Sequence, residues 1–379
     1  MHSYQINIEK DKVKNIIKRI RNYPWDKTLN VKSWEMGTNK KELKGICDYW
    51  TTKYSWKKEE KKLNKYNHFK SIINNLNIHF IYIKSSSNKS IPLLLSHGWP
   101  GSIVEFLKII EPLTNPEKYG IDKALSFDVV APSIPGFIFS EAPKFPIGPR
   151  KIAKIYNNLM TKVLGYDKYI AQGGDWGSAI SSWLGFDYAK HCMGIHLNVM
   201  IMRDKNGALD NKEKQWQKRF LESQILEKGY RSLQSSKPQT LAYAMIDSPV
   251  GVAAWIIEKF HSWSDLRKSK FLEVYNINDL ITNIMLYLVT DSFNTSTWIY
   301  YGRRIEGGRI LNYNNKKVMV PTACAIFPKE FLPWPPKSYV KRLYNVTQWK
   351  KFSDGGHFAA MENPKELIND IRNFSIQFR

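Results

Sequence analysis

Cysteines, long apolar runs and repeats are scarce or missing in this chain of 379 residues, and each absence excludes a class of protein. The three cysteines, Cys47, Cys192 and Cys324, are far apart and lack metal-ligand spacing, which argues against a disulfide framework. No apolar run is long enough for a membrane span, and the first residues lack the apolar stretch of a signal peptide. We therefore expect a globular, soluble, cytoplasmic protein whose cysteines are reduced and mostly buried.

Acidic residues are also in deficit, since 57 lysines and arginines face 34 aspartates and glutamates, which gives a net charge of +23. The densest basic stretch, residues 57–65, is interrupted by Glu59 and Glu60, so we interpret the charge as a lysine bias spread over a solvated surface. We expect no nucleic-acid partner and no transmembrane anchor. Association with nucleic acid or peripheral association with an anionic membrane is the alternative, which salt-sensitive retention on DNA or anionic vesicles would support.

Short apolar runs alternate with helical segments after about residue 75, a pattern typical of a parallel sheet covered by helices. The runs are residues 78–83, 92–96, 127–132, 169–172, 194–198, 317–327 and 345–352, and the helical segments include 211–228, 250–260, 280–289 and 364–374. The fold class is therefore α/β, with a mostly parallel central sheet and helices on both faces.

The predicted organisation has three parts. An N-terminal extension, residues 1–75, combines an amphipathic helix with irregular, tryptophan-bearing segments and should wrap around the core. The α/β core is discontinuous and comprises residues 76–200 and 310–379. Residues 201–309 are helical and rich in aromatic side chains, so we interpret them as a cap inserted between the sixth and seventh strands of the sheet.

The segment GGDWG, residues 173–177, has the glycine spacing of a nucleophile elbow but carries a carboxylate where most such turns carry a hydroxyl. Residues 169–172 are predicted to form the preceding strand and residues 177–186 the following helix, as the motif requires. An aspartate that attacks a saturated carbon gives an alkyl ester, which water can cleave, whereas a serine would leave a stable ether. We predict that Asp175 is a nucleophile; an acidic turn before a helix is the alternative.

A turn rich in Gly and Pro, SHGWPGS at residues 96–102, follows an early apolar strand. Such a turn can aim a backbone N–H at a developing oxyanion, and the residue after the nucleophile can supply the second donor. We assign these donors to the backbone N–H groups of Trp99 and Trp176. For His97, a structural role in bracing the turn is favoured over a role as catalytic base.

His357 follows the last predicted strand, in SDGGHF, and fits the chain order of nucleophile, then acid, then histidine. We predict that it is the base. Glu330, in FPKE after the preceding strand, is the predicted acid that orients the imidazole and stabilises its protonated form. Asp354 is the rival, but its position in the same Gly-rich turn as His357 favours a local role in that turn.

Opening an uncharged oxirane also requires a proton donor to the departing oxygen, and a phenol stays protonated at neutral pH. The cap contains many tyrosines that could supply the proton, although aromatic packing is the usual role of any one of them. The candidates are Tyr230, Tyr243, Tyr275, Tyr287, Tyr300 and Tyr301.

In this order, the motifs resemble those of the microsomal and juvenile-hormone type epoxide hydrolases of the α/β-hydrolase fold. The resemblance covers nearly the whole chain and rests on SWKKEEKKLNKYNHFK, HGWPGS, APSIPGF followed by SEAP, QGGDWGS, DSPVGVAAWIIEKF, FPKE and GGHFAAMENP. Many animal members begin with a membrane anchor, whereas this chain starts almost directly at the extension, which is typical of a soluble relative. Where relatives often have a small residue after SIPG, this chain has Phe137 and Ile138, which we expect to reshape the pocket.

The resemblance implies that Asp175 is the nucleophile, His357 the base and Glu330 its partner. From the cap it selects Tyr230 and Tyr300 as the ring-opening phenols, and it leaves the choice between Tyr300 and the adjacent Tyr301 open.

The predicted function is that of an epoxide hydrolase, which converts an epoxide to a vicinal diol through a covalent alkyl-aspartyl ester. We expect a small hydrophobic epoxide and water as substrates, and no cofactor or metal. One alternative is a haloalkane dehalogenase-like hydrolase, which would release halide and form no diol. The other is a non-catalytic α/β-hydrolase that binds a lipid or hormone.

Overall fold

The computed structural model describes residues 1–31, 33–121, 125–312 and 315–379. One residue of the predicted extension, three of the core segment 76–200 and two of the core segment 310–379 lie outside the described residues. Within these residues, nine strands form one sheet. The strands are β1 (His2–Tyr4), β2 (His68–Ile73), β3 (Leu76–Ile83), β4 (Ile91–Ser96), β5 (Phe127–Pro132), β6 (Tyr169–Gly173), β7 (Cys192–Leu197), β8 (Val318–Ile326) and β9 (Tyr344–Lys351). Their spatial order is β1-β2-β3-β5-β4-β6-β7-β8-β9.

The sheet is parallel from β5 to β9 and antiparallel at its N-terminal edge, where β1, β2, β3 and β5 pair in turn. The central strands read as continuous apolar runs because helices cover both of their faces. In β4, for example, Leu93, Leu94 and Leu95 are fully buried, and Leu93 pairs with Ile170 of β6. The predicted α/β class and mostly parallel sheet are confirmed.

Fifteen α-helices lie within the described residues. They are α1 (Lys10–Arg21), α2 (Lys40–Thr52), α3 (Trp56–Leu63), α4 (Leu107–Thr114), α5 (Pro149–Asn158), α6 (Asp175–Asp187), α7 (Asn211–Ser236), α8 (Pro238–Asp247), α9 (Pro249–Ser262), α10 (Phe271–Val274), α11 (Ile277–Val289), α12 (Phe293–Ile305), α13 (Lys337–Leu343), α14 (Ala359–Glu362) and α15 (Pro364–Ser375). Short 3₁₀ turns lie at Trp25–Lys27, Ile103–Phe106, Pro116–Tyr119 and Ile376–Phe378, and one π-helical turn at Leu159–Val163.

The N-terminal extension differs from the prediction because it contributes two strands, β1 and β2, to the sheet. A two-residue turn joins β2 to β3, and both of its residues, Asn74 and Asn75, have positive φ. Asparagine tolerates this conformation, and paired positive φ angles match the twist of a hairpin. Seven strands precede the cap, namely β1, β2 and the five that the sequence predicts before residue 201. The cap therefore lies between the seventh and eighth strands in chain order and not between the sixth and seventh.

The helices of the extension pack largely on the cap, since α1 and α2 contact α9 and α3 contacts α11. The cap consists of α7 to α12, and its two connections to the core pair through a bridge between Arg203 and Ile310. None of the described helices is by itself long and apolar enough to span a bilayer; α8 and α9, bent by 120° at their junction, meet the length and composition criteria only as a pair. All three cysteines are buried, as predicted.

Candidate active site

Asp175 lies on the turn between β6 and α6, with a backbone φ of +42°. This conformation is rare for a residue other than glycine and costs free energy, which is typical of functional turns. The neighbouring glycines let the chain make the turn, since a Cβ on Gly173 would lie 2.2 Å from the carbonyl carbon of Gly177. A Cβ on Gly177 would lie 1.8 Å from the carbonyl oxygen of Ser96. The turn has the steric requirements of a nucleophile elbow, although α6 begins at Asp175 and not at Gly177.

The two oxygens of the Asp175 carboxylate have different surroundings. Oδ1 accepts a hydrogen bond of 2.8 Å from the backbone N–H of Trp99. Oδ2 lies 3.6 Å from Nε2 of His357. The N–H of Trp176 belongs to the first turn of α6, where backbone donors have no partner inside the helix. Of the two predicted oxyanion donors, the N–H of Trp99 therefore contacts the carboxylate, and the N–H of Trp176 belongs to the residue that follows Asp175.

His97 braces the SHGWPGS turn. Its Nδ1 donates to the carbonyl of Gly98 at 3.0 Å, and its Nε2 accepts from the backbone N–H of Ile134 at 3.1 Å. Burial lowers the pKa of His97 to about 4, so the imidazole is neutral. Both ring nitrogens are therefore engaged in holding the loop, which is the structural role that the sequence predicts.

His357 is held by Glu330 through two contacts, from Nδ1 to Oε1 at 3.0 Å and to Oε2 at 2.8 Å. Both side chains are almost completely buried. Burial by itself lowers the pKa of His357, but the carboxylates of Glu330 and Asp175 outweigh it and raise the pKa to about 10. The imidazole is therefore protonated while both carboxylates carry their charge.

Asp354, the rival acid, faces away from the imidazole and pairs with cations. Its Oδ1 lies 2.6 Å from Nζ of Lys268 and 3.8 Å from Nη2 of Arg267. The hydrogen bond from Lys268 lowers the pKa of Asp354, whose side chain is 39% exposed. The structure thus brings Glu330 to His357 and places Asp354 in a surface ion pair.

Tyr230 of α7 and Tyr300 of α12 meet beside the two oxyanion-donor residues, with ring centroids 5.9 Å apart. The ring of Tyr300 lies edge-on to Trp176 at 4.6 Å, and the ring of Tyr230 stacks on Trp99 at 5.4 Å. Burial and the charge of Asp175 raise the pKa of both phenols, so both keep their protons. The buried hydroxyl of Tyr300 has no hydrogen-bond partner among the described residues.

The other cap tyrosines are engaged elsewhere. Tyr301 points away from the site and packs against Phe145 and Arg304. Tyr243 is 72% exposed. The hydroxyls of Tyr275 and Tyr287 bond to Ser264 and to the carbonyl of Gly101, respectively. The geometry therefore places Tyr300, and not Tyr301, at the site.

An aromatic cage around His357 was missed in the sequence. The rings of Trp263 and Phe331 stack at 4.0 Å, and their centroids lie 5.1 Å and 4.9 Å from that of His357. Trp263 also contacts Tyr230, with centroids 5.2 Å apart. Trp263 lies outside the sequence motifs. It follows the cap helix α9, and only the tertiary structure shows which face of that helix points inward.

Two half-buried acidic residues beside the site were also missed. Glu362 accepts hydrogen bonds from the backbone N–H groups of Phe358 and Asp265, and thereby ties the His357 loop to the cap. Burial raises the pKa of Glu105 to about 8; the charge of His357 opposes this shift and that of Asp175 adds to it. Glu362 lies within the GGHFAAMENP motif, which was the available signal. Glu105 is an acid within an apolar segment, which also could have identified it.

Phe137, one of the departures from the family pattern, lies behind the site. Its ring contacts His97 and Tyr287, with centroids 5.2 Å and 6.3 Å away. Ile138 is buried at a φ of +40°. Within the described residues, no group of three or more His, Cys, Asp or Glu side chains could hold a metal ion.

Comparison with known proteins identifies the family. Residues 1–106 match the epoxide hydrolase N terminus family, and residues 91–364 match the alpha/beta hydrolase fold family. Juvenile hormone epoxide hydrolase 1 of Ctenocephalides felis is 36% identical over 97% of this chain and 84% of its own. Epoxide hydrolase 1 of Sus scrofa is 35% identical over 98% of this chain and 87% of its own.

Solved structures agree with the sequence relatives. The crystal structure of juvenile hormone epoxide hydrolase from the silkworm Bombyx mori has a TM-score of 0.90 and 31% identity, and covers 100% of this chain and 94% of that one. The Aspergillus niger epoxide hydrolase has a TM-score of 0.85 and 28% identity, with coverage of 99% and 96%. The chain therefore belongs to the microsomal and juvenile-hormone type epoxide hydrolases of the α/β-hydrolase fold, and it is an epoxide hydrolase.

Proposed function

We propose that this chain hydrolyses epoxides through an ester formed on Asp175. In the first step Oδ2 attacks an oxirane carbon, because Oδ1 is already held by the N–H of Trp99. The carbon–oxygen bond of the ring breaks, and Tyr230 and Tyr300 supply the proton that the departing oxygen takes up. The products of this step are a free hydroxyl group on the substrate and an alkyl ester on the enzyme.

Formation of the ester removes the charge of Asp175 and lowers the pKa of His357, whose proton passes to the tyrosinate left by ring opening. In the second step the neutral His357 accepts a proton from a water molecule, which attacks Cγ of Asp175. The negative charge that develops on Oδ1 is stabilised by the N–H groups of Trp99 and Trp176. When this intermediate collapses, the bond from Cγ to Oδ2 breaks and the diol leaves with that oxygen. The imidazolium returns its proton to the diol. The water oxygen stays in the carboxyl group of Asp175, whose remaining proton returns to His357 and replaces the one that restored the tyrosine.

The observation that carries this proposal is the unequal environment of the two Asp175 oxygens. One oxygen contacts an oxyanion donor, and the other faces the histidine. The two cap phenols lie near enough for the charge of Asp175 to raise the pKa of both. A purely structural carboxylate gains nothing from such an arrangement. Two phenols at this place favour the opening of an oxirane, whose oxygen needs a proton, over the displacement of a halide, which does not.

A single-turnover reaction in heavy-oxygen water tests the proposal. We expect the label in the peptide that contains Asp175 and unlabelled oxygen in the first equivalent of diol. If the label enters only the diol, water attacks the epoxide directly and the ester route is wrong. If the wild-type protein binds the epoxide tightly but does not turn it over, the non-catalytic alternative is favoured.

The aromatic lining of the site supports a hydrophobic epoxide as substrate. Trp99, Trp263, Phe331 and the two tyrosines present apolar rings around the reacting carboxylate. Such rings exclude water, and they bind apolar carbon chains because the apolar surfaces of ring and chain are removed from water.

A further inference from the structure

Four arginines meet where the cap joins the core, and none of them takes part in the chemistry proposed above. Arg203 and Arg309 lie on the two connecting segments, and the backbone N–H of Arg203 donates to the carbonyl of Arg309 at 2.8 Å. Arg231 belongs to α7 and Arg303 to α12. Burial, followed by the charges of the other three arginines, lowers the pKa of Arg309, so the four cations lie close enough to repel one another.

This arginine cluster borders the predicted catalytic tyrosines. Arg231 directly follows Tyr230, and Arg303 lies one helical turn, about 5 Å, beyond Tyr300. The guanidinium of Arg303 lies over the ring of Trp176, 5.2 Å from its centroid. Its charge also interacts with that of Asp175. A group bound by the cluster would therefore lie next to the reacting carboxylate and its phenols.

The four cations are not neutralised by ion pairs within the part of the chain that the structure describes. Among the described residues, no Asp or Glu forms an ion pair with any of them. The acids near Arg203 in the sequence, Asp204 and Glu213, both pair with Arg342 at 2.6 Å and 2.7 Å. Arg231 donates instead to the neutral side chain of Gln224 at 2.8 Å.

Some of the guanidinium nitrogens are buried without any partner. Nη1 of Arg203 donates to three backbone carbonyls, but its Nη2 is buried with no acceptor among the described residues. The same holds for Nε of Arg303. A guanidinium stays charged inside proteins, so unpaired buried donors are costly unless an anion completes them. Such an arrangement of unpaired guanidinium donors is typical of a binding site for an anionic ligand.

We propose that the arginine cluster binds an anionic oxygen group, a carboxylate or a phosphate ester, carried by the epoxide substrate. Guanidinium groups match the planar oxygens of both groups and bind them through paired hydrogen bonds. The substrate is then an amphiphilic epoxide, with its acid group at the junction of cap and core and its oxirane at Asp175. This inference rests on the proposed function, since it identifies the group at the other end of the epoxide that reacts with Asp175.

Three substrates with one carbon skeleton test this specificity: an epoxide with a terminal carboxylate, its methyl ester and the corresponding phosphate ester. We expect wild-type kcat/KM for at least one anion to exceed that for the ester by about tenfold, because hydrogen bonds to charged groups contribute at this level. In Arg303→Gln and Arg309→Gln the anion should lose about tenfold and the ester little. Preference for the carboxylate or for the phosphate decides between the two groups.

Arg304→Gln is the matched control, because Arg304 is exposed and its guanidinium lies over the ring of Tyr301, away from the site. It should leave all three rates unchanged. Equal losses on anion and ester in Arg303→Gln would mean that the arginines only support the fold or acidify the phenols, and would overturn the proposal. So would a wild-type enzyme that does not prefer either anion. Turnover of the ester reports on catalysis itself, so its failure would count against the proposed mechanism instead.

Thermal unfolding provides a second measurement that does not depend on activity. Because the cations repel one another without a ligand, Arg303→Gln and Arg309→Gln should unfold at the wild-type temperature or above it. The carboxylate diol product should raise the unfolding temperature of the wild type but not of these variants. If inorganic phosphate stabilises the wild type and neither anionic substrate is preferred, the cluster binds a free anion, and the assignment to substrate is wrong.

Discussion

Nε2 of His357 lies 3.6 Å from Oδ2 of Asp175, so the imidazolium and the carboxylate face each other without a full hydrogen bond. The charge of Asp175 is one of the causes that raise the pKa of His357 to about 10. Formation of the ester would remove that charge, and the pKa of His357 would then fall. The histidine would thus become a base only after the nucleophile has reacted, which orders the two steps.

Replacement of His357 by glutamine should separate these steps. In His357→Gln the ester forms on Asp175 but is hydrolysed slowly, by a factor of about 10² to 10⁴, because general base catalysis is lost. Intact mass spectrometry should detect enzyme plus one epoxide within minutes of mixing. His191→Gln is the control, since its Nδ1 contacts the backbone carbonyl of Asp167 at 2.9 Å and the carboxylate of that residue at 3.7 Å, near the surface. An unmodified mass in the first variant would contradict the covalent route.

Glu330→Gln should lower kcat by at least about tenfold, because the imidazole loses both its orientation and the charge that stabilises its protonated form. Asp354→Asn should leave kcat unchanged, since that carboxylate pairs with Lys268 at the surface. Steady-state measurement of kcat for both variants on one epoxide tests which carboxylate is the acid. A larger effect at Asp354 would reverse the assignment of the acid.

The local parts of the site could be predicted from the sequence, whereas those that depend on tertiary packing could not. Asp175 and His357 lie in glycine-rich turns whose spacing already specifies a sharp change of direction. Trp263 directly follows α9 and Arg303 lies in α12, and helical periodicity shows that one face is buried but not what that face meets. The choice between Tyr300 and Tyr301 belongs to the same class, because adjacent helical residues point about 100° apart and only packing tells which one faces the site.

The strand β2 was missed for a different reason. Its sequence, His68–Ile73, carries a lysine and a serine among apolar residues, and a half-buried strand of this kind gives weak alternation. The turn that follows it, Asn74 and Asn75, was a usable signal, because consecutive asparagines tolerate the two positive φ angles of a tight hairpin. A hairpin turn can thus identify a half-buried strand that hydrophobicity alone does not.

Loss of one phenol should slow the formation of the ester. We expect Tyr300→Phe to lower the rate of the first step by about tenfold or more, because the remaining tyrosine must protonate the leaving oxygen alone. Tyr301→Phe, one residue away on the same helix, removes the same atom outside the site and should have no effect. Stopped-flow measurement of tryptophan fluorescence would follow ester formation, since Trp176 contacts Tyr300 directly. Equal rates in the two variants would exclude Tyr300 as a donor.

The raised pKa of His357 predicts how the fold responds to alkaline pH. A histidine whose pKa is raised from 6.5 to about 10 on folding contributes stability that is complete below 6.5 and is lost as the pH approaches 10. The free energy of unfolding of the wild type should therefore fall relative to that of His357→Gln across this range, by at most about 1.4 kcal/mol per pH unit. Urea unfolding at several pH values measures the difference, and a constant difference would contradict the raised pKa.

Gly98 and Gly229 provide a last pair of substitutions with opposite expectations. A Cβ on Gly98 would lie 2.3 Å from both Cβ and Oδ1 of Asp175, so Gly98→Ala must displace the carboxylate from the Trp99 N–H. We expect kcat to fall by about 10² or more, as the loss of an oxyanion donor does elsewhere. A Cβ on Gly229 meets nothing within 4 Å, and in the interior of α7 an alanine should stabilise the fold by about 0.5–1 kcal/mol. Full activity in Gly98→Ala would show that the carboxylate does not depend on this close approach.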